Sequence, residues 1–442
     1  MDRRRARRAN HHRLSAVRIS RPGGWTGTRF PEDVDPDREG PPMRWGRETD
    51  LLLLALGAMF VQQTFASLGR SLPTVIAPAI IADLQLEAAW VGVYVSLIAV
   101  SALIFQLGCG SFIIRYGALR MSQVALLLLA GGLAAASTGA VALLALSAVI
   151  GGGGSAISTP ASSHLLGRYS PPRYAPLVFS IKQTAVPAGL LLAGLFGPAL
   201  TGWTSWSVTL NVGAAACLLF AILLQFSRRE FDSDRVPSRR FHLSDFRTTF
   251  TSVLVTMELR NLSMACFAFN GLQTVFTSFF IIYLVELGYT LGLAGLVFSV
   301  AMLVAVPCRI LWGWLGSTSV SPRTMLGALA LGMAASALFT GFYGPLWPVL
   351  AVGFVASCLS ATAMSWHGVL LAEAARLAPP GMRGMATGGV LSFGQLGGLL
   401  LPLVYSVLLY LTGSHGLGFV LCGAPALLVG ILLVRPAPRV EA

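Results

Sequence analysis

At 442 residues, 55% of them hydrophobic and only 11% charged, with a mean hydropathy of +0.72, the chain is too apolar for a soluble globular protein. Such proteins carry about a quarter of their residues as charges. The net charge of +13 does not mark a nucleic-acid partner, because most of the arginines crowd an N-terminal tail, one central linker and alternate short loops. The six cysteines all fall inside apolar segments at no metal-ligand spacing, which leaves out a zinc site or disulfide framework and makes them small hydrophobes.

In chain order, residues 1–50 are rich in Arg, Pro and Asp, with no apolar h-region or cleavage site. They are expected to form a disordered basic cytoplasmic tail, with translation starting at Met1 or Met43. Apolar segments follow at 53–80, 90–112, 118–138, 141–165, 175–200 and 206–226, then at 261–287, 293–315, 322–342, 346–375, 384–410 and 414–434. Each suffices to cross a bilayer, since ~20 apolar residues at ~1.5 Å rise span the ~30 Å hydrocarbon core. The fold expected is an all-α polytopic membrane protein of about twelve transmembrane helices. Its parts are an N-terminal six-helix bundle (51–226), a cytoplasmic linker (227–260), a C-terminal six-helix bundle (261–435) and a tail (436–442). Span one is expected to run as one helix to about Ile81, bent by Pro73 and Pro78.

Positive charge alternates between loops. Arg115 and Arg120, Arg168 and Arg173, Arg323, then Arg376 and Arg383 mark one side, whereas 202–206 and 341–347 carry no Lys or Arg. By the positive-inside rule both termini are cytoplasmic, and a bacterial inner membrane is the expected location.

The two halves repeat each other. Arg168-Tyr-Ser-Pro-Pro172 after span four matches Arg376-Leu-Ala-Pro-Pro380 after span ten. The stretch Gly110 to Arg120 matches Gly313 to Arg323, and Gln63-Thr64 in span one matches Gln273-Thr274 in span seven. All three offsets lie near ~200 residues, as in a carrier built of two parallel halves with its site between them.

Residues 50–435 resemble the major facilitator superfamily. Its loop signature after the second helix is matched by Gly110-Ser-Phe-Ile-Ile-Arg115-Tyr-Gly117-Ala-Leu-Arg120, with Ile114 standing where the family has an acidic residue. The resemblance implies a charge lock between the halves that this chain lacks at Ile114. Arg70, Pro78, Asp83-Leu84-Gln-Leu86 and Gly92 are most similar to the anion-symporter and organophosphate-antiporter branch, whose matching arginine contacts substrate.

Charges inside the membrane cost ~2.5–3.5 kcal/mol each by insertion scales, so each needs a reason. Arg70, about 15 Å from the end of span one on a regular helix, reads as a mid-bilayer anion ligand, or as a loop residue if the span ends at Leu68. Lys182, the chain's one lysine, either snorkels toward water or faces a cavity with Ser180, Gln183 and Thr184. Arg309 reads as a structural anchor or a substrate contact. His367 reads as a satisfied core histidine or a proton-sensitive site residue. Gln62, Gln63, Tyr94, Asn270, Gln273 and Gln395 are uncharged polar residues at comparable depth, of which Gln63 and Gln273 are favoured as ligands because they recur. Glu373 and Arg376 form an i,i+3 pair.

The four glycines 151–154 precede no Gly-Lys-Ser/Thr and read as a small helix-packing face rather than a phosphate loop. No zinc-protease motif, carboxylate pair or nucleophile motif falls in the spans, so no enzyme and no cofactor are expected. Gly194-Leu-Phe-Gly197-Pro198 resembles, degenerately, a signature of proton-coupled exporters. The reading is a monomeric secondary active transporter of a small organic anion, a carboxylate or organophosphate, with a proton as the candidate coupling ion and the lipid bilayer as its surroundings. An exporter of drugs or neutral metabolites and a non-transporting sensor are the alternatives.

Overall fold

Among the described residues, eleven helices are long and apolar enough to cross a bilayer, and the pair Trp90–Gln106 and Gly108–Tyr116, bent by 57°, makes a twelfth if taken as one span. The computed structural model describes residues 46–171, 175–238, 253–254, 256–378 and 383–435. The expected tails beyond Gly46 and Arg435, and the middle of the expected linker, lie outside the described residues.

The first six spans are built from α1 (Arg47–Val75), α2 (Ala77–Leu84), α3 (Trp90–Tyr116), α4 (Ala118–Ala136), α5 (Val141–Tyr169), α6 (Ala175–Gln183), α7 (Ala185–Trp203) and α8 (Trp206–Leu223). A short α9 (Arg228–Phe231) follows. The last six use α10 (Met257–Glu286), α11 (Leu291–Thr318), α12 (Pro322–Gly341), α13 (Val349–Ala363), α14 (His367–Leu377), α15 (Arg383–Thr412) and α16 (His415–Val434). Five of these helices open on a hydroxyl cap: Ser205, Thr256, Thr290, Ser321 and Ser414 each accept the N–H three residues on. Such caps contribute about 1 kcal/mol each. Helix α1 starts at Arg47 and α10 at Met257, a few residues earlier than the apolar runs suggest.

Three spans are interrupted. Span one does not continue to Ile81 as one bent helix. Pro73 sits inside α1 and Pro78 in the first turn of α2, and the chain breaks between them at Ile76. Proline has no N–H to continue the ladder, so two of them five residues apart end one helix and start another. Span five breaks at Thr184, between α6 and α7. Span ten breaks over 364–366, between α13 and α14. The last two breaks position the site.

The first and last six spans meet along α3 with α15 and along α7 with α11. Ser96 donates to the Leu399 carbonyl at 3.1 Å and Ser299 to the Leu191 carbonyl at 3.0 Å. A Cβ on Gly295 would fall 2.6 Å from the Pro198 ring, so backbone contact requires glycine there. Within the first half, Gly152 and Gly154 press α5 onto carbonyls of Ile98 and Ala125, the packing role expected of the glycine run.

Near Ile114 a different carboxylate has been recruited. Asp232, just after α9, accepts the N–H groups of Leu119 and Arg120 at 2.7 and 3.0 Å and lies 3.5 Å from Arg228. It therefore caps α4, where the helix dipole favours a negative charge. Gly117, at φ +99°, leaves room for it, since a Cβ there would overlap the carboxylate. Asp232→Ala should lower stability by about 1–3 kcal/mol, because the buried Leu119 N–H and the part-buried Arg120 N–H lose their acceptor. Thermal unfolding of the purified protein checks this, and an unchanged Tm would remove the capping role.

Candidate functional site

The breaks in spans five and ten free backbone carbonyls in the middle of the molecule, and a single guanidinium takes them up. The Gln183 carbonyl would ordinarily accept from the residue four further on, but that residue is Pro187, which has no N–H to give. Arg309 of α11 supplies the missing donor, Nη1 bonding the Gln183 oxygen. Its Nε donates to the Met364 carbonyl at 2.9 Å and Nη2 reaches the same oxygen. Nη2 also lies 3.4 Å from His367 Nδ1. One side chain thus joins a carbonyl of the first half to one of the second.

Arg309 forms part of the wall of a cavity of about 190 Å³ between the halves. Helix α1 contributes Gln63, Ser67, Arg70 and Thr74; α10 contributes Asn270, Gln273, Thr274 and Thr277. Ser71, Ser278, Gln106, Ser155, Thr159, Gln183, His367 and Gln395 complete the polar lining with Arg309, and no Asp or Glu is among the described lining residues.

The two glutamines of the repeat occupy matched places. Gln63 Oε1 accepts from Thr159 Oγ1 of span four at 3.2 Å, and Gln273 Oε1 accepts from Trp366 Nε1 of span ten at 3.1 Å. Each is steadied by the fourth span of its own half, leaving its amide N–H groups as donors. Asn270 donates to the Gly394 carbonyl at 2.7 Å, and Gln395 Nε2 donates to Gln106 Oε1 at 2.8 Å across the halves.

Arg70 is half-buried on the cavity wall with no hydrogen bond or ion pair among the described residues. It is not a solvated loop residue, since α1 continues past it to Val75. His367 lines the cavity and stacks on Trp366, ring centroids 3.6 Å apart. Lys182 stands elsewhere. Its side chain is fully buried, Nζ has no hydrogen-bond partner among the described residues, and it is absent from the cavity lining. It neither snorkels to water nor forms the wall, but lies behind it within electrostatic reach of Arg309 and His367.

Of the other polar residues, Gln62 is spent on Ser158 at 2.9 Å. The Glu373–Arg376 pair forms as expected, with contacts of 2.7 and 2.6 Å, although Glu373 is buried. Thr159, Gln106 and Thr277 reach the cavity without having stood out in the sequence. Their signal was weak, single polar residues in helices too apolar to show a face.

Twelve spans in two halves around a polar cavity define a polytopic carrier. The chain belongs to the Major Facilitator Superfamily, whose family model matches residues 59–375. It is a multi-pass membrane transporter of that type and not an enzyme. None of the curated proteins compared matches the sequence.

Solved structures share the fold. One is a POT family transporter in complex with 5-aminolevulinic acid, at TM-score 0.69 and 15% identity over 86% of this chain and 95% of that one. A mutant of the nucleoside transporter NupG gives 0.70 and 12% over 86% and 98%. A bacterial homologue of the human lysosomal transporter Spinster, inward-facing and occupied, gives 0.63 and 16% over 86% and 95%. At such identities the likeness is one of fold. The anion-carrier branch suggested by Arg70 to Gly92 is not among these.

Proposed function

We propose that this chain is a secondary active transporter of a small organic anion, a carboxylate or organophosphate. The observation that carries the reading is the charge of the cavity. Arg70 and Arg309 face it, Lys182 backs it, and no carboxylate lines it. Cations held in a low-dielectric site without counterions draw an anion in, and the bound anion offsets their desolvation. In this model Arg70 and Arg309 hold the anion, and Gln63 and Gln273 donate to its oxygens. Lys182 contributes through its field until Arg309 moves.

Arg309 also links binding to conformational change. An anion that competes for its guanidinium weakens the bond to Gln183, one of the ties between the halves. Rocking of one half against the other follows in an alternating-access cycle. We place a proton as the coupling ion, with His367, hydrogen-bonded to Arg309 in the cavity, as the group whose charge it changes. The cavity lies within a single chain, which suits a monomer. The alternating loop arginines support a topology with both termini cytoplasmic, and the location proposed is a bacterial inner membrane.

The test is counterflow in proteoliposomes loaded with a panel of carboxylates and organophosphates. Exchange of a labelled anion against its own kind, absent from empty liposomes, supports the reading. Exchange of neutral compounds alone would turn it toward an exporter. No exchange of any compound would turn it toward a sensor.

A further inference from the structure

A second cavity lies beside the first and has the opposite character. It has a volume of about 300 Å³ and a wall that is almost wholly apolar. Ile80, Ile81, Trp90, Leu97, Leu144 and Ala145 are among its lining, which comes from the end of α1, α2 and the loop after it, α3 and the start of α5. Its polar groups are Thr74, Tyr94 and the Trp90 indole. At its rim Trp90 is 58% and Val141 60% exposed, at the first residues of α3 and α5.

The two cavities share walls. Thr74 lines both, and the lining of a small crevice that reaches toward α4 and α5 includes both Arg70 and Tyr94. Tyr94 OH and Ser147 Oγ, 3.4 Å apart, border that crevice. Arg70, one helical turn before Thr74 on α1, lines the polar cavity and borders the same crevice as Tyr94 of the apolar one.

We infer that the side cavity is the subsite for an aliphatic arm, so that the substrate is an amphiphilic organic anion with its charged head at Arg70 and its chain passing Tyr94. The inference rests on the anion reading and narrows it. A head group at Arg70 alone would leave unused an apolar space that shares Thr74 with the binding cavity.

The experiment titrates straight-chain alkanoates, from butanoate to decanoate, into the protein in lipid nanodiscs by calorimetry, with empty nanodiscs subtracted. Affinity should rise about fourfold per added methylene until the cavity is full, the ~0.8 kcal/mol of a buried CH₂ converted at ~1.36 kcal/mol per decade. Ala145→Trp, which fills the cavity from α5, should flatten that slope, with butanoate binding in the same preparation reporting a folded protein. If that variant does not fold, Val141→Trp at the exposed rim takes its place. A flat slope in the unaltered protein, or a slope that survives the tryptophan, overturns the inference. Butanoate binding that depends on Arg70 but not on chain length removes the arm and leaves the anion reading standing. Alkanols binding as tightly as alkanoates, indifferent to Arg70→Gln, remove both.

Discussion

Arg70→Gln should abolish most anion transport while leaving the fold intact. Glutamine keeps an N–H donor on a shorter stem and removes the charge and the fork. A charge-assisted hydrogen bond is worth about 1.5–3 kcal/mol, so the affinity for a small carboxylate should fall roughly 10- to 100-fold. Stability should hardly change, because Arg70 makes no hydrogen bond or ion pair among the described residues and its removal orphans no partner. Arg70→Lys should recover part of the affinity, since it restores the point charge but not the planar bidentate geometry. The measurement is initial uptake rate against anion concentration in proteoliposomes, alongside thermal unfolding of each variant. Uptake unaffected by Arg70→Gln would place the anion elsewhere and with it the whole charge argument.

The spans were legible because bilayer thickness imposes a length that any apolar run must meet, and most helix ends fall within a few residues of those runs. The pairing of Gln63 with Gln273 was legible for a related reason. A repeated half places equivalent residues at equivalent depth, and both reached the cavity, each held by its own fourth span. The breaks were harder to read. Pro187 orphans the Gln183 carbonyl by a rule of local geometry, but the consequence depends on a guanidinium more than a hundred residues away. The break over 364–366 has no proline to announce it. The capping of α4 by Asp232 is likewise a tertiary event, since nothing near Asp232 in sequence shows that Gly117 leaves room for it. The side cavity left no trace in the sequence, because apolar residues lining a space look the same as apolar residues filling one.

Lys182→Met should move stability and transport in opposite directions. The lysine is fully buried and its Nζ has no hydrogen-bond partner among the described residues. Its electrostatic neighbours, Arg309 and His367, bring no negative charge to it. Replacing buried ionic groups with apolar side chains of similar volume is often stabilising by ~1–4 kcal/mol, and methionine has the length and flexibility to fill the same space. Thermal unfolding of the methionine variant should therefore shift upward. Transport should fall, because the second cation behind Arg309 is lost when the anion draws that guanidinium from Gln183. A position that weakens the fold is one kept for activity, as in other stability–function trade-offs. The two measurements share one preparation. A variant that is less stable yet transports normally would make Lys182 a structural residue, and the wall would then owe its charge to Arg70 and Arg309 alone.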